Sequence, residues 1–458
     1  MAQSAAESSL SPSSRDWLAA SDPLRRKQHG QYLTPRPVAE ALLDRVTLRP
    51  GMPVLDPGCG TGELLAAVTR REPGAGLTGW DIDESALLAA RELVPHARLE
   101  LRSALDPPSE EDPNGGEGMA DGPFDLVIAN PPYFQVRVTP ELKAHFGEVI
   151  SGRANIFALF FKTGLDLLRP GGTLAYIVPP SKNSGAYFEA LREHIVSRAR
   201  IIDLTVLEGS GLFEGANTAA QLLILEKRGP GQAVPPDPGS PTGRSFVFER
   251  SEPSVGFRRV IFSQHPERLR EGFEGRRTLW QLGYEAVTGT VVWNQRRADL
   301  RTVPGPGTVP LVFSRDLRGG ALDHDGIEGA SGPRETQTGR ARSRVDVAGT
   351  EKASLAKAGH IASERRLTGP ALLINRVIGA VGRGELRTAL VSEGVEFLAE
   401  NHVNVIRLRT DPDAPGRPGL DWQQLQAAIE QAGTAGRARL LTGNTQLSAT
   451  ELTHLVPV

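Results

Sequence analysis

Short apolar runs alternate with amphipathic stretches through the first half of the chain, and the alternation predicts an ordered series of strands and helices. Val38, Leu42, Leu43 and Val46 recur at helical spacing, with Thr34 as N-cap and Pro35 at the first helical position. Gly51-Met52-Pro53 ends that helix and opens a strand over Val54, Leu55 and Asp56. A helix is predicted over residues 63–71, a second strand ending at Asp81, and a third over 99–105. The apolar run at 125–129 is too brief for a helix and reads as a buried strand. An apolar helix over 157–168 follows, closed by Arg169-Pro170-Gly171-Gly172. Then come a strand over 173–178, a helix over 188–197, and strands over 201–207 and 221–226. This alternation predicts an α/β fold with a parallel, doubly wound sheet.

The pattern changes after residue 228. Residues 228–244 are rich in Pro and Gly with almost no apolar positions, which is linker composition. Beyond them helix signals thin out, and short strand-like pieces (246–248, 310–313, 371–376, 403–408) stand among long polar loops. The division that follows is a disordered tail over 1–24, a first domain over 25–230, a linker over 231–244 and a mixed, loop-rich second domain over 245–458. A length of 458 residues suits two domains.

Composition narrows the function. A formal net charge of -2 excludes a uniformly basic nucleic-acid binder and leaves room for a local basic surface, such as residues 334–387 with 11 Lys or Arg against 5 Asp or Glu. One cysteine excludes a disulfide framework and a cysteine-based metal site, and fits a reducing, cytoplasmic setting. No apolar run approaches the 18 or so residues that a membrane span needs, and the Ser/Ala-rich start has no signal-peptide core.

Two stretches carry candidate chemistry. Asp56-Pro57-Gly58-Cys59-Gly60-Thr61-Gly62 reads as a strand end, an acidic residue and a glycine-rich turn where backbone can pass close to a ligand. The Gly-x-Gly-x-x-Gly dinucleotide pattern is not met, because position 63 is Glu. Asp81 stands about 20 positions beyond the glycines, where a ribose hydroxyl pair is gripped, although an ordinary βαβ unit could use it as a helix cap. Asn130-Pro131-Pro132-Tyr133 ends the fourth strand in a stiff turn, since both prolines restrict their neighbours and neither can donate to a ladder. That turn holds the Asn130 amide and the Tyr133 ring at the carboxyl edge of the sheet, where ligands of such folds bind. The plain alternative is a turn initiator.

Together these residues resemble the TaqI-type, gamma-class DNA amino-methyltransferases. The matching pieces are Gln31-Tyr32-Leu33-Thr34-Pro35, the Asp56 to Gly62 turn, Asp81, Asn130-Pro131-Pro132-Tyr133 and a later aromatic, Phe213. In the second half, Val287-Thr288-Gly289-Thr290-Val291-Val292-Trp293, Glu400-Asn401-His402-Val403-Asn404 and the ending from Gly443 to Leu452 look like recognition-domain segments of this group. The resemblance implies a class I S-adenosylmethionine-dependent sheet followed by a DNA recognition domain, with no metal. It implies a cofactor site of Tyr32, Thr34, Asp56, Gly58, Gly60, Asp81, Ile82, Ser103, Asn130 and Pro132. The family places an acidic residue after the third strand to bind the cofactor adenine; here Ser103 stands there, with Asp106 able to reach back. The implied acceptor is adenine N6, flipped from duplex DNA. Asn130 and the Pro131 carbonyl would accept from its amine, and Tyr133 and Phe213 would stack on its faces. Trp293, Arg376 and Arg383 are the implied DNA contacts. A monomer acting with or without a separate restriction endonuclease is expected. The alternatives are a protein glutamine N5-methyltransferase or a ribosomal RNA N-methyltransferase using the same Asn-Pro-Pro-Tyr motif, and a DNA-binding subunit without activity.

Overall fold

The computed structural model describes residues 9–106, 124–152, 154–178, 188–207, 220–229, 246–252, 256–295, 300–301, 308–317, 321–323, 326–328, 348–351, 366–376, 386–411, 418–431, 433–442 and 446–458. The chain divides into two compact units, Met1–Glu249 with Arg259–Pro266, and Arg250–Arg258 with Glu267–Val458. This boundary departs from a linker ending at 244, because Phe246, Val260 and Phe262 are buried in the core of the first unit.

Order begins well before residue 25, against the expectation of a tail. Helix α1 spans Pro12–Ala20, with Ser11 as N-cap accepting from the Ser14 N–H and proline in its first turn. Trp17 anchors it, buried against Ala86 and Ala89. Two short helices follow, α2 (Pro23–His29) and α3 (Arg36–Leu43). The N-cap of α3 is Pro35, not Thr34, and no side chain caps it. The Thr34 hydroxyl is committed elsewhere.

The first unit is built on a seven-stranded sheet. Its strands are β1 (Pro53–Asp56), β2 (Gly76–Asp81), β3 (Arg98–Leu101), β4 (Phe124–Ala129), β7 (Leu168–Val178), β8 (Ala199–Leu207) and β9 (Ala220–Lys227), with β5 (Gln135–Val136) and β6 (Ala154–Asn155) forming a separate small pair. The order is β3-β2-β1-β4-β7-β9-β8. Strands β1 to β4 and β7 pair in parallel, but β9 runs antiparallel to both β7 and β8, so the sheet is mixed. The sequence shows no helical pattern between β8 and β9, and without a crossover helix successive strands pair antiparallel. The third strand stops at Leu101 instead of 105, where a turn forms with the Ser103 N–H donating to Asp106.

Helices α4 (Glu63–Arg71), α5 (Glu84–Leu93), α6 (Pro140–Phe146), α7 (Ile156–Leu167) and α8 (Glu189–Arg198) complete the unit. One apolar core gathers α3 and α4 with Val54, Leu126 and Ile177; the other gathers Phe157 and Phe161 of α7 with Val127 and Tyr176. Helix α7 is apolar nearly all round, as a helix enclosed in a core should be.

The second unit carries a six-stranded sheet, ordered Tyr284–Thr288, Val403–Leu408, Ala371–Asn375, Thr388–Val391, Ala321–Asp323, Gly326–Glu328. A five-stranded sheet accompanies it, together with helices Trp422–Glu430, Thr434–Thr442 and Ala449–His454. The thinning of helix signals beyond residue 228 does not reach these three helices. Capping boxes at Asp421 with Gln424 and at Ser448 with Glu451 are the signals that mark two of them.

Gly164 lies where α7 crosses β7: a Cβ there would collide with the Tyr176 hydroxyl and come within 2.8 Å of Leu174 Cδ1. The Tyr176 hydroxyl cannot yield freely, because it is buried and donates to the Phe160 carbonyl at 3.0 Å. Gly164→Ala is therefore expected to destabilise the unit by about 1–3 kcal/mol. A lowered urea midpoint at constant slope checks this; an unchanged midpoint contradicts it.

Candidate active site

The strand order reverses between β1 and β4, and the crevice at such a reversal is where open α/β sheets bind ligands. The turn after β1 lays backbone into the crevice. Gly60 and Gly62 adopt φ values of 51° and 86°, a left-handed conformation that side chains resist. Asp81, at the end of β2, pins this turn by accepting from the Gly60 N–H at 2.8 Å and the Asp83 N–H at 2.9 Å. Asp56 accepts from the Gly58 N–H at 3.2 Å.

These elements enclose a cavity of about 200 Å³ and a smaller one of about 40 Å³. The larger is lined by Gly58, Gly60, Asp81, Ile82, Ser103, Asn130 and Pro132, among others. Thr34 and Asp56 line the smaller, and Tyr32, Gly58, Gly60 and Asn130 line both. All ten residues assigned to a cofactor from the sequence thus border one of two cavities that share a wall. Ile82 is 61% exposed although apolar, at a strand end where a flat ligand could cover it. Of Ser103 and Asp106, only Ser103 is in the lining; the Asp106 carboxylate turns back to the Ser103 N–H at 3.2 Å.

Two carboxyl groups sit in these walls. Burial pushes Asp56 up to about 8, opposed by the Gly58 N–H and reinforced by the neighbouring Asp81 charge. Burial also raises Asp81, against the N–H groups of Asp83 and Gly60. Each is held partly against ionisation in a way that a cationic ligand would reverse.

At the end of β4 the Asn130 amide is fixed on three sides. Its Nδ2 donates to the Tyr32 carbonyl at 3.1 Å and the Thr34 hydroxyl at 3.2 Å, and its Oδ1 accepts from the Tyr133 hydroxyl at 2.9 Å. The orientation of the amide follows, since only the nitrogen can donate. Pro131 is buried beside it. The Tyr133 hydroxyl also faces the Ile177 carbonyl at 2.5 Å, while its half-buried ring meets Phe157 edge-on, centroids 6.1 Å apart.

The remaining assigned residues divide. Phe213 and Arg383 lie outside the described residues. Trp293 and Arg376 are in the second unit; Trp293 opens a short 3-10 turn, and the half-buried Arg376 guanidinium donates to the Asn401 carbonyl at 3.2 Å. Sequence reasoning missed Trp17, Phe134, Ile156 and Phe160, which also line the larger cavity. No spacing marks them: Trp17 falls in the stretch read as a tail, Phe134 and Ile156 fall between predicted elements, and Phe160 reads as ordinary helix core.

The sheet order, the glycine turn after β1 and the acidic end of β2 define a class I S-adenosylmethionine-dependent methyltransferase fold. Residues 82–213, the segment containing Asn130–Tyr133, match the family model described as Eco57I restriction-modification methylase. The chain is similar to the modification methylase CviBIII of Paramecium bursaria Chlorella virus NC1A, 25% identical over 237 residues, 51% of this chain and 57% of that protein. It is also similar to the type II methyltransferase M.TthHB8I of Thermus thermophilus, 26% identical over 326 residues, 65% of this chain and 67% of that one. A release factor glutamine methyltransferase of Caulobacter vibrioides is 32% identical over 155 residues, 31% of this chain and 52% of that one. The chain thus spans little more than half the length of the first and third of these relatives.

The cofactor is S-adenosylmethionine, and the chemistry of the walls fits it. Asp81 offers carboxylate oxygens for ribose hydroxyls, Ile82, Pro132 and Phe160 offer apolar surface for a base, and Asp56 offers a carboxyl group to a cation. Among the described residues no group of three or more His, Cys, Asp or Glu is placed to hold a metal ion, and no helix is long and apolar enough to cross a membrane.

Two outcomes follow for the carboxyl groups. Asp56 binds its proton more tightly folded than unfolded, so without ligand its contribution to stability is complete below about pH 4 and is lost as pH rises toward 8. A positively charged ligand favours the ionised form, so cofactor binding should release protons in that window, measured by calorimetry in buffers of different ionisation enthalpy. Asp56→Asn should reduce that release, leaving only what Asp81 contributes; equal release from parent and variant contradicts the assignment. Asp81→Ala should weaken cofactor binding about tenfold or more, since hydrogen bonds to a charged group contribute roughly 1.5–3 kcal/mol each. An unchanged dissociation constant would place the ribose elsewhere.

Proposed function

We propose that this protein is a site-specific DNA methyltransferase of the TaqI type, transferring methyl from S-adenosylmethionine to N6 of an adenine turned out of duplex DNA. The observation that carries the reading is the Asn130 amide in the wall of the cofactor crevice, with both N–H groups spent inside the protein and its oxygen, which takes the Tyr133 hydroxyl, keeping a second lone pair for a substrate N–H. When bound, the cofactor supplies an electrophilic methyl group. The protein's part is to make an exocyclic amine nucleophilic. That amine is a weak nucleophile because its lone pair is delocalised into the ring. If Asn130 Oδ1 and the Pro131 carbonyl each accept one N–H, the nitrogen is drawn toward tetrahedral geometry and the lone pair is released. These acceptors bind the transition state better than the ground state, and only such differential binding accelerates chemistry. As the new N–C bond forms the sulfonium S–C bond would break, leaving the thioether S-adenosylhomocysteine; no strong general base is required, since the amine proton becomes acidic only after transfer and passes to solvent.

An amine paired inside a duplex is out of reach, so the base must be extruded at a cost of a few kcal/mol. Tyr133 and Phe213 are assigned to cover its two faces. For the Tyr133 ring this requires an approach on the side away from Phe157. The second unit is assigned to DNA recognition, with Trp293, Arg376 and Arg383 in contact with the duplex and a separately encoded endonuclease as a further partner. Phosphate contacts there would position the protein and base-edge contacts would set the sequence. The relatives named as modification and type II methyltransferases support a DNA substrate. The glutamine methyltransferase relative favours a second reading, in which a side-chain amide takes the place of the base amine. It matches only 31% of this chain and leaves the second unit without a role.

Incubating the purified protein with labelled S-adenosylmethionine and duplexes of diverse sequence should yield N6-methyladenine on nucleoside analysis. N4-methylcytosine would move the acceptor, and label confined to protein or RNA would overturn the DNA reading. Thr34, through its hydrogen bond to Asn130, is a positioning residue for the reaction. Removing its acceptor should cost about 1 kcal/mol of orientation, so Thr34→Val should lower kcat several-fold with little change in KM for DNA. Thr34→Ser should restore most of the rate; equal kcat in the valine variant and the parent removes Thr34 from this role.

A further inference from the structure

We propose that helix α1 is a wall of the S-adenosylmethionine site, so that seating this helix and holding the cofactor are one event. The inference rests on S-adenosylmethionine being the ligand of the larger cavity, and it adds a segment that no cofactor motif contains. Three polar contacts join α1 and its N-cap to residues far along the chain, all on elements that shape the site. The Ser14 hydroxyl meets the Thr61 hydroxyl at 2.6 Å, both buried. The Ser11 N–H donates to Glu63 Oε1 at 2.7 Å, on the first turn of α4 directly after the glycine turn. The Trp17 indole N–H donates to the Ser85 hydroxyl at 2.9 Å, on the first turn of α5.

The third contact continues inward. Ser85 Oγ donates to Asp83 Oδ1 at 2.6 Å, the Asp83 N–H donates to Asp81 Oδ1 at 2.9 Å, and the Gly60 N–H donates to Asp81 Oδ2 at 2.8 Å. An unbroken path of short polar links therefore runs from the Trp17 indole to the carboxylate expected to hold the ribose and on to the glycine turn. The Trp17 ring itself lines the cavity, in company with Gly60, Asp81 and Ile82. A helix that only covered α5 would need the packing of Trp17 on Ala86 and Ala89 and nothing more. The polar contacts on the glycine turn and the ring in the cavity wall are what such a cover does not require.

The test is cofactor binding by the full-length protein, read without any methyl-transfer assay. By calorimetry with S-adenosylmethionine, Trp17→Ala should raise the dissociation constant about tenfold, the scale on which losing a buried aromatic contact is felt. Trp17→Phe keeps the ring, and Ser85→Ala keeps the indole while breaking the path; both fold more readily and should weaken binding about threefold. Trypsin gives an independent readout, because Arg15 of α1 is exposed and offers a cut within the helix. Saturating cofactor should slow cleavage at Arg15 about tenfold if the helix must leave its seat to be cut, as expected when ligand binding stabilises the closed form. Unchanged affinity in all three variants, or cleavage at Arg15 indifferent to cofactor, would overturn the proposal and leave α1 a cover for α5. Failure of the parent protein to bind S-adenosylmethionine at all would overturn the cofactor reading as well, and is told apart by that first titration.

Discussion

The parallel pairing of β1 with β4, Val54 opposite Leu126 and Leu55 opposite Val127, is the constraint on which the site depends. Parallel neighbours end on the same side of a sheet. The turn after Asp56 and the turn after Ala129 therefore leave the sheet side by side, though more than 70 residues separate them. At this pair the strand order also reverses, which opens a crevice between the turns. Val54 and Leu126 face one apolar core and Leu55 and Val127 the other, so the pair is buried on both faces.

On that edge the chain assembles groups costly to bury alone. Asp56 and Asp81 are taken from water with no cationic side chain as first partner among the described residues; backbone N–H groups offset part of the cost, and burial leaves both raised. Buried carboxyl groups held in this way are the mark of a functional site more than of a stable core. Asn130 shows the opposite economy: both N–H groups of its amide are spent and its oxygen keeps one acceptor direction, so its orientation is decided before any substrate arrives. One part of the crevice is poised to accept positive charge, and the other is preorganised to accept hydrogen bonds.

The apolar side of the crevice draws on distant places in the chain, among them Trp17 of α1, Ile82 after β2, Pro132 and Phe134 after β4, and Ile156 and Phe160 of α7. Phe160 is held through its carbonyl by Tyr176 of β7, so that wall is tied to the sheet. The segment ahead of the first strand has a further part. Through Tyr32 and Thr34 it orients Asn130, and through Ser11, Ser14 and Trp17 it rests on the glycine turn and on α5.

Much of this was legible in the residues themselves. Strands and helices of the first unit follow from local periodicity, a property of neighbours along the chain, and the glycine turn, Asp81 and Asn130-Pro131-Pro132-Tyr133 declare themselves because their chemistry demands particular residue types at fixed spacing. The boundaries of helices ending at Arg71 and Leu167 fall within a residue of the periodic pattern. What only the tertiary structure decided are relations between distant segments. The Thr34 hydroxyl looked like a helix cap and serves Asn130, because the cap position shifted to Pro35 and left it facing the end of β4. Residues 12–20 fall in the stretch that reads as a tail and form a docked helix, since Trp17 has nothing to bury against until α5 is in place. Strand β9 looked parallel and is not, because strand direction is set by the connection and not by the strand's own residues. Periodicity reports which face of an element is apolar; it carries no information about which partner covers that face, and the partner is what makes a site.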